Sequence, residues 1–128
     1  MDQNTQERLV LAAIEACGRS YSPYSHFPVG AAVLTGSGKI FAGTNIENAS
    51  YGATMCAERV AIYKAVSEGE TEILALAVYT DAAERAIPCG MCLQVLSEFA
   101  GDIPVLVVGY AGMVTFTLSD LLPHRFKM

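Results

Sequence analysis

The chain has 128 residues, 52% of them hydrophobic and 16% charged, with a formal net charge of −5. Residues 1–128 are the length of one domain, long enough to bury roughly two thirds of the unfolded surface. The acidic balance, with eight Lys and Arg forming no cluster, argues against a nucleic-acid polymer as partner, because phosphate backbones are bound by grouped cations.

The first 18 residues begin polar, and their apolar part is interrupted by Glu15. That pattern is neither a signal peptide nor a membrane span, so a cytoplasmic location with no membrane partner is expected. Thiols stay reduced there, and four cysteines point to metal binding or catalysis more than to disulfides.

Residues 4–18 carry Leu9, Val10, Ala13, Ile14 and Cys17 at three- and four-residue steps, which predicts an amphipathic helix stopped by Gly18. Cys17 reads as a small buried hydrophobe. Tyr21 to Pro28 is an aromatic loop with two prolines, which no helix could hold. Val29 to Leu34 reads as a buried strand, Thr35-Gly36-Ser37-Gly38 as a hairpin turn, and Lys39 to Thr44 as the returning strand. A polar loop follows over 45–52. A helix over about 54–68 is predicted from Ala57, Val60, Ala61 and Ala65, with Gly69 ending it.

Ile73 to Thr80 is nearly all apolar, as expected at the centre of a sheet covered on both faces. Asp81 to Ile87 is a loop, and a helix from about Cys89 to Phe99 turns Val95, Leu96 and Phe99 inward. Ile103 to Val108 is a fourth strand, Gly109 to Met113 a turn, Val114 to Thr117 a short fifth strand, and Ser119 to Leu122 a last helical turn. Helices alternating with strands predict a three-layer α/β/α domain with a mixed five-stranded sheet, a hairpin first and parallel crossovers later.

Three of the four cysteines fall in Cys56-Ala57-Glu58 and Pro88-Cys89-Gly90-Met91-Cys92. Three thiolates can hold one zinc ion and leave a fourth tetrahedral position open, the arrangement of a catalytic site. Cys56 and Cys89 lie near helix starts, where backbone dipoles favour the thiolate that binds metal. Cys89 and Cys92 are one turn apart on one face. Glu58 falls in the first turn on a different side from Cys56, free to act as acid or base. A lone C-x-x-C is often a redox or structural pair. Structural zinc sites, however, have four protein ligands, and His26 and His124 lie in loops away from this pattern. A Cys-x-Glu followed by Pro-Cys-x-x-Cys matches the zinc-deaminase signature.

The whole set of segments resembles the small, all-cysteine cytidine deaminases that act on free nucleosides. The resemblance rests on residues 21–32 (Tyr21-Ser22-Pro23-Tyr24-Ser25-His26-Phe27-Pro28-Val29-Gly30-Ala31-Ala32), 45–51 (Asn45-Ile46-Glu47-Asn48-Ala49-Ser50-Tyr51), Cys56-Ala57-Glu58-Arg59, Pro88 to Cys92, and Leu121-Leu122-Pro123 with Phe126. It implies one zinc per subunit on Cys56, Cys89 and Cys92, with Glu58 as proton shuttle and Arg59 hydrogen-bonded to thiolate sulfur. It also implies that Asn45 and Glu47 bind ribose hydroxyls, chiefly the 3′-OH, that Phe27 packs on the base, and that the backbone at Ala57 and near Cys89 reads the pyrimidine edge.

The same resemblance implies a homotetramer with shared active sites, in which Ala49, Tyr51 and Phe126 reach a neighbour's site. The implied reaction is hydrolytic deamination of cytidine and 2′-deoxycytidine to uridine and 2′-deoxyuridine, a step of pyrimidine salvage. The sequence departs from the family at Leu93, where an arginine is usual, which removes a cation from beside three thiolates. That change bears on charge balance and on access for substituents at the exocyclic nitrogen. Rival readings are a deaminase of another cytosine-containing or N4-substituted small nucleoside, a polynucleotide editor, and a zinc-stabilised binding module. Asn45 and Glu47, the acidic charge, and the missing fourth ligand count against these in turn.

Overall fold

The computed structural model describes residues 1–128. Four α-helices and five strands follow in order: α1 (Gln3–Cys17), β1 (Gly30–Thr35), β2 (Ile40–Thr44), α2 (Ala57–Ser67), β3 (Ile73–Tyr79), α3 (Gly90–Phe99), β4 (Pro104–Gly109), β5 (Gly112–Thr117) and α4 (Leu118–Leu121). The sheet order is β2-β1-β3-β4-β5. β1 is antiparallel to both β2 and β3, β3 is parallel to β4, and β5 returns antiparallel to β4. β2 and β3 therefore run the same way on either side of β1, so the expected hairpin is followed by crossovers through α2 and α3. The last two strands form a second hairpin.

Side-chain alternation divides the interior. Ala31, Val33, Leu76, Val78, Val105 and Val107 point to the face covered by α2, α3 and α4, with Ala57, Ala61, Ile62, Leu96 and Leu118. Ala32, Leu34, Ala75, Ala77 and Leu106 point to the other, where they meet Leu9 and Ala13 of α1. Three layers result, with one helix on one side and three on the other. Small strand residues under α1 let its backbone come close. A Cβ at Gly30 would lie 1.9 Å from the Ala13 carbonyl oxygen of α1, and on the opposite face one at Gly43 would lie 2.6 Å from the Ala61 nitrogen of α2. No helix is long and apolar enough to cross a membrane.

Several expectations shift in detail. On α1, Ile14 faces solvent and Ala16 is buried in its place, while Val10 is half-buried. On α2, Val60 is half-buried and Ile62 takes its core position. α2 starts at Ala57 rather than 54, because residues 51–53 form a separate 3-10 turn and Met55 pairs with Ile46. β5 starts two residues early, leaving only Tyr110 and Ala111 in the turn. Gly112, at φ +126°, supplies a backbone conformation that L side chains rarely adopt.

The register of the central strands builds the site. Gly30 faces Thr44 on one side and Tyr79 on the other. The start of β1 and the ends of β2 and β3 thus lie at one edge, which brings together the segments around Phe27, Asn45 and Thr80. Crevices at the carboxyl ends of parallel strands are the usual ligand positions in α/β sheets.

Candidate metal centre and active site

Cys56 and Cys89 are the N-cap residues of α2 and α3, and neither spends its side chain on capping. Their sulfurs are therefore available, and they sit where the helix dipoles favour negative charge. Cys92 lies one turn into α3 and is buried. The Cys89 and Cys92 sulfurs are 3.5 Å apart, and all three Sγ atoms lie within 4.8 Å of one another. A Zn–S bond of about 2.3 Å at tetrahedral angles asks for S···S separations of about 3.8 Å. The trio meets that requirement, with no fourth Cys, His, Asp or Glu in the cluster. The residues fit zinc, and they fit the open type of site.

Arg59 Nη2 donates to Cys56 Sγ at 3.3 Å. The Cys56 thiol is held well below its ordinary value, chiefly by the Cys92 hydrogen bond and then, against the opposing effect of burial, by Arg59. Cys92 is pushed up, first by its bond to Cys56 and then by burial. Arg59 itself is held charged by the same sulfurs. Its Nε is buried without a hydrogen-bond partner.

Glu58 is 5% exposed, in the first turn of α2. Burial pushes its carboxyl up to about 7, and the Cys56 charge adds to that. A carboxyl near neutrality can both take and give a proton, which is what one shuttle serving as base and then acid needs. Leu93 packs into the core with α2 and α3 and forms no part of the cavity wall. Arg59 is therefore the one arginine bonded to the thiolates, and the expected effect of Leu93 on access for substituents finds no support in its position.

A cavity of about 460 Å³ opens over Cys56, Glu58 and Cys89, within the range of small-ligand pockets. Phe27, Asn45, Glu47 and Ala57 line it as well. A neighbouring hollow of about 330 Å³ shares Ser25, Glu47 and Thr54 with it and is bounded by Tyr51. Tyr51 and Phe126 are 82% and 67% exposed. Neither of them, nor Ala49, lines the chain's own cavity. Gln94 Nε2 donates to the Phe126 carbonyl at 3.4 Å, and Arg125 donates to the carbonyls of Ala100 and Gly101, so the tail is pinned to α3 and the loop after it.

Asn45 and Glu47 have structural work that their spacing does not announce. Asn45 Oδ1 accepts from Val29 N at 3.0 Å and from Ser20 Oγ at 2.5 Å, and its amide donates to Phe27 O at 2.9 Å. Glu47 Oε1 accepts from the backbone N–H of Tyr24 and Ser25 at 2.9 and 3.1 Å, and Oε2 accepts from the Ser25 hydroxyl. The Ser25 bond, above all, holds the Glu47 carboxyl below its ordinary value. Bridges of Ile46 with Tyr21 and Met55 weave the aromatic loop, the polar loop and the run into Cys56 together. The loop at Arg85, Ala86 and Ile87 forms part of the cavity wall, and sequence reasoning missed it. The only available signal was its position immediately before Pro88-Cys89.

A sheet with this order, carrying a three-cysteine centre at the starts of two helices, defines a zinc-dependent deaminase fold. A family model described as the cytidine and deoxycytidylate deaminase zinc-binding region matches residues 3–109, and the chain belongs to that family. A cytidine deaminase from Halalkalibacterium halodurans is 45% identical over 123 residues, covering 94% of this chain and 93% of the relative. The crystal structure of cytidine deaminase from Burkholderia pseudomallei superposes with a TM-score of 0.88 at 38% identity, covering 98% of this chain and 100% of that one. A blasticidin-S deaminase from Bacillus cereus is 34% identical over 126 residues, covering 92% of this chain and 89% of the relative.

Proposed function

We propose that this chain catalyses the hydrolytic deamination of cytidine and 2′-deoxycytidine to uridine and 2′-deoxyuridine, with release of ammonia. The observation that carries this reading is the position of Glu58, buried in the same cavity as the three-cysteine centre, with Phe27, Asn45 and Glu47 along the walls. Cys56, Cys89 and Cys92 would hold zinc, which when bound would supply Lewis-acid activation of the water that replaces the amine. Glu58 takes a proton from that water and gives it to N3 of the pyrimidine, which makes C4 electrophilic so that the hydroxide oxygen adds there. Glu58 then moves the proton of the new C4 hydroxyl to the amine, the C4–N bond breaks, the C4 carbonyl forms and ammonia leaves. Phe27 packs on the base, and the backbone at Ala57 and near Cys89 reads its edge. Asn45 and Glu47 bind the ribose hydroxyls while also bracing the loop that presents Phe27.

The chain is proposed to act as a single domain in a cytoplasmic homotetramer serving pyrimidine salvage. In that assembly Ala49, Tyr51 and Phe126 complete a neighbour's site, an arrangement supported by the exposure of Tyr51 and Phe126. A second reading, deamination of another cytosine-containing small nucleoside, is supported by the blasticidin-S deaminase relative. A substrate panel separates the two. Cytidine, 2′-deoxycytidine, N4-substituted cytidines, blasticidin S and a single-stranded oligonucleotide are followed by loss of the cytosine absorbance, with zinc content measured on the same sample. Turnover of the two nucleosides well above the others is expected; a preference for the antibiotic would replace the first reading with the second.

A further inference from the structure

We propose that Ser25 is a positioning residue that couples recognition of the sugar to placement of the base, by joining Glu47 to the backbone of Phe27. The inference rests on the nucleoside reading above. The Ser25 hydroxyl has one proton and two lone pairs. Its proton goes to Glu47 Oε2, and its oxygen accepts the Phe27 N–H at 3.0 Å. Both partners line the cavity over the metal centre, as does Ser25 itself.

The local backbone makes this link possible. A hydroxyl that accepts from the N–H two residues on closes a short turn. The residue between, His26, sits at φ 56°, the one non-glycine in left-handed backbone. His26 N–H is anchored to Ser22 O at 3.0 Å. The Phe27 carbonyl is held from the other side by Asn45 at 2.9 Å. Phe27 therefore hangs between two side chains, Asn45 at its C=O and Ser25 at its N–H.

The bonding of Glu47 leaves room for a ligand. An ionised carboxylate offers about four lone-pair sites. Tyr24 N, Ser25 N and Ser25 Oγ take three of them. The remaining capacity lies on Oε2, the oxygen that Ser25 holds. A sugar hydroxyl bound there shares that oxygen with Ser25, and hydrogen bonds in such a chain polarise one another. Filling the sugar site thus bears directly on the bond that sets the Phe27 backbone. The carboxylate is the hub, and Ser25 is the arm that reaches the base wall.

The test compares cytidine with 3′-deoxycytidine in the natural protein, Ser25→Ala, Ser25→Cys and Ser25→Thr, with zinc content and thermal unfolding as checks on folding. Losing a hydrogen bond to a charged group costs about 10- to 100-fold, so the natural protein should prefer cytidine by about that ratio in kcat/KM. In Ser25→Ala and Ser25→Cys that preference should shrink by about threefold or more, with the KM for cytidine raised and zinc retained. Ser25→Thr, which restores the hydroxyl, should return the ratio to that of the natural protein. If Ser25→Ala and Ser25→Cys slow both substrates by one common factor, or slow neither, the coupling is refuted while the cytidine reading stands. Failure of the natural protein to turn over cytidine would sink both. Ser25→Cys changes little in size, so it serves as the deciding variant should Ser25→Ala not fold.

Discussion

Glu58 is a carboxyl that costs stability in order to be useful. Its folded value near 7 against an ordinary 4.5 means that the folded state keeps this proton between those values while the unfolded state releases it. Unfolding is therefore made easier as pH rises through that window, by up to roughly 3 kcal/mol once pH exceeds 7. With zinc chelated, the difference in unfolding free energy between Glu58→Gln and the natural protein should grow from pH 4.5 to 7 and then level off. Urea titrations at several pH values measure it, and a pH-independent difference would show that the carboxyl is not strained by its burial. With zinc present, Glu58→Gln should keep the metal and lose activity by orders of magnitude, because the amide cannot shuttle a proton. Near-normal turnover in that variant would remove Glu58 from the mechanism. The metal centre was legible residue by residue because its signal is local: Cys56 and Glu58 are two apart, and Cys89 and Cys92 are three apart. The clamps made by Asn45 and Glu47 were not legible. They act across 16 to 23 residues, on backbone groups whose positions only the folded loops define.

Elements were legible where periodicity was strong, and their ends where a cap or turn was marked. The missed boundary at the start of α2 has a physical cause. Residues 51–53 make their own turn, Met55 is drawn into a bridge with Ile46, and the helix cannot begin until Cys56. That delay makes Cys56 the N-cap rather than a helical residue and leaves its sulfur free for metal. The face of α1 was misjudged at Ile14 because a 15-residue helix over small strand residues is seated by close backbone approach at least as much as by its largest side chains. Ala13 and Ala16 are buried while Ile14 is not. Gly30 is where that approach is closest. Ala13 O at 1.9 Å and Cys17 N at 2.5 Å from an added Cβ are both backbone atoms, which cannot rotate aside. Gly30→Ala should therefore destabilise by about 3 kcal/mol or more. Gly52→Ala, where an added Cβ meets nothing within 4 Å, should stay within about 0.5 kcal/mol. Denaturant titration of the two variants checks the contrast, and equal small effects would mean that α1 is seated more loosely than this packing describes.

At the scale of the whole molecule, several aromatic residues stay out of the core, and Tyr51 and Phe126 are two of the most exposed. Tyr51 stands on a 3-10 turn beside the shared rim of the two hollows, and Phe126 sits on a tail whose backbone is tethered by Gln94 and Arg125. Holding a large apolar side chain 67% exposed on a tethered segment suits a part that another surface covers. The proposed tetramer supplies that surface, and sharing of sites can be tested apart from size. Phe126→Ala subunits keep their own Glu58 but lack the aromatic ring; Glu58→Gln subunits are inactive but offer an intact Phe126. If Phe126 completes a neighbour's cavity, assemblies formed by co-expressing the two should regain activity, because live Glu58 sites are then finished by rings from the other subunit. The expected activity per Phe126→Ala subunit rises well above that of Phe126→Ala alone, with a light-scattering mass near four times the 13.6 kDa chain. A mixture no more active than the average of its parts would mean that each subunit works with its own residues alone, and the exposed tail would then need a different partner.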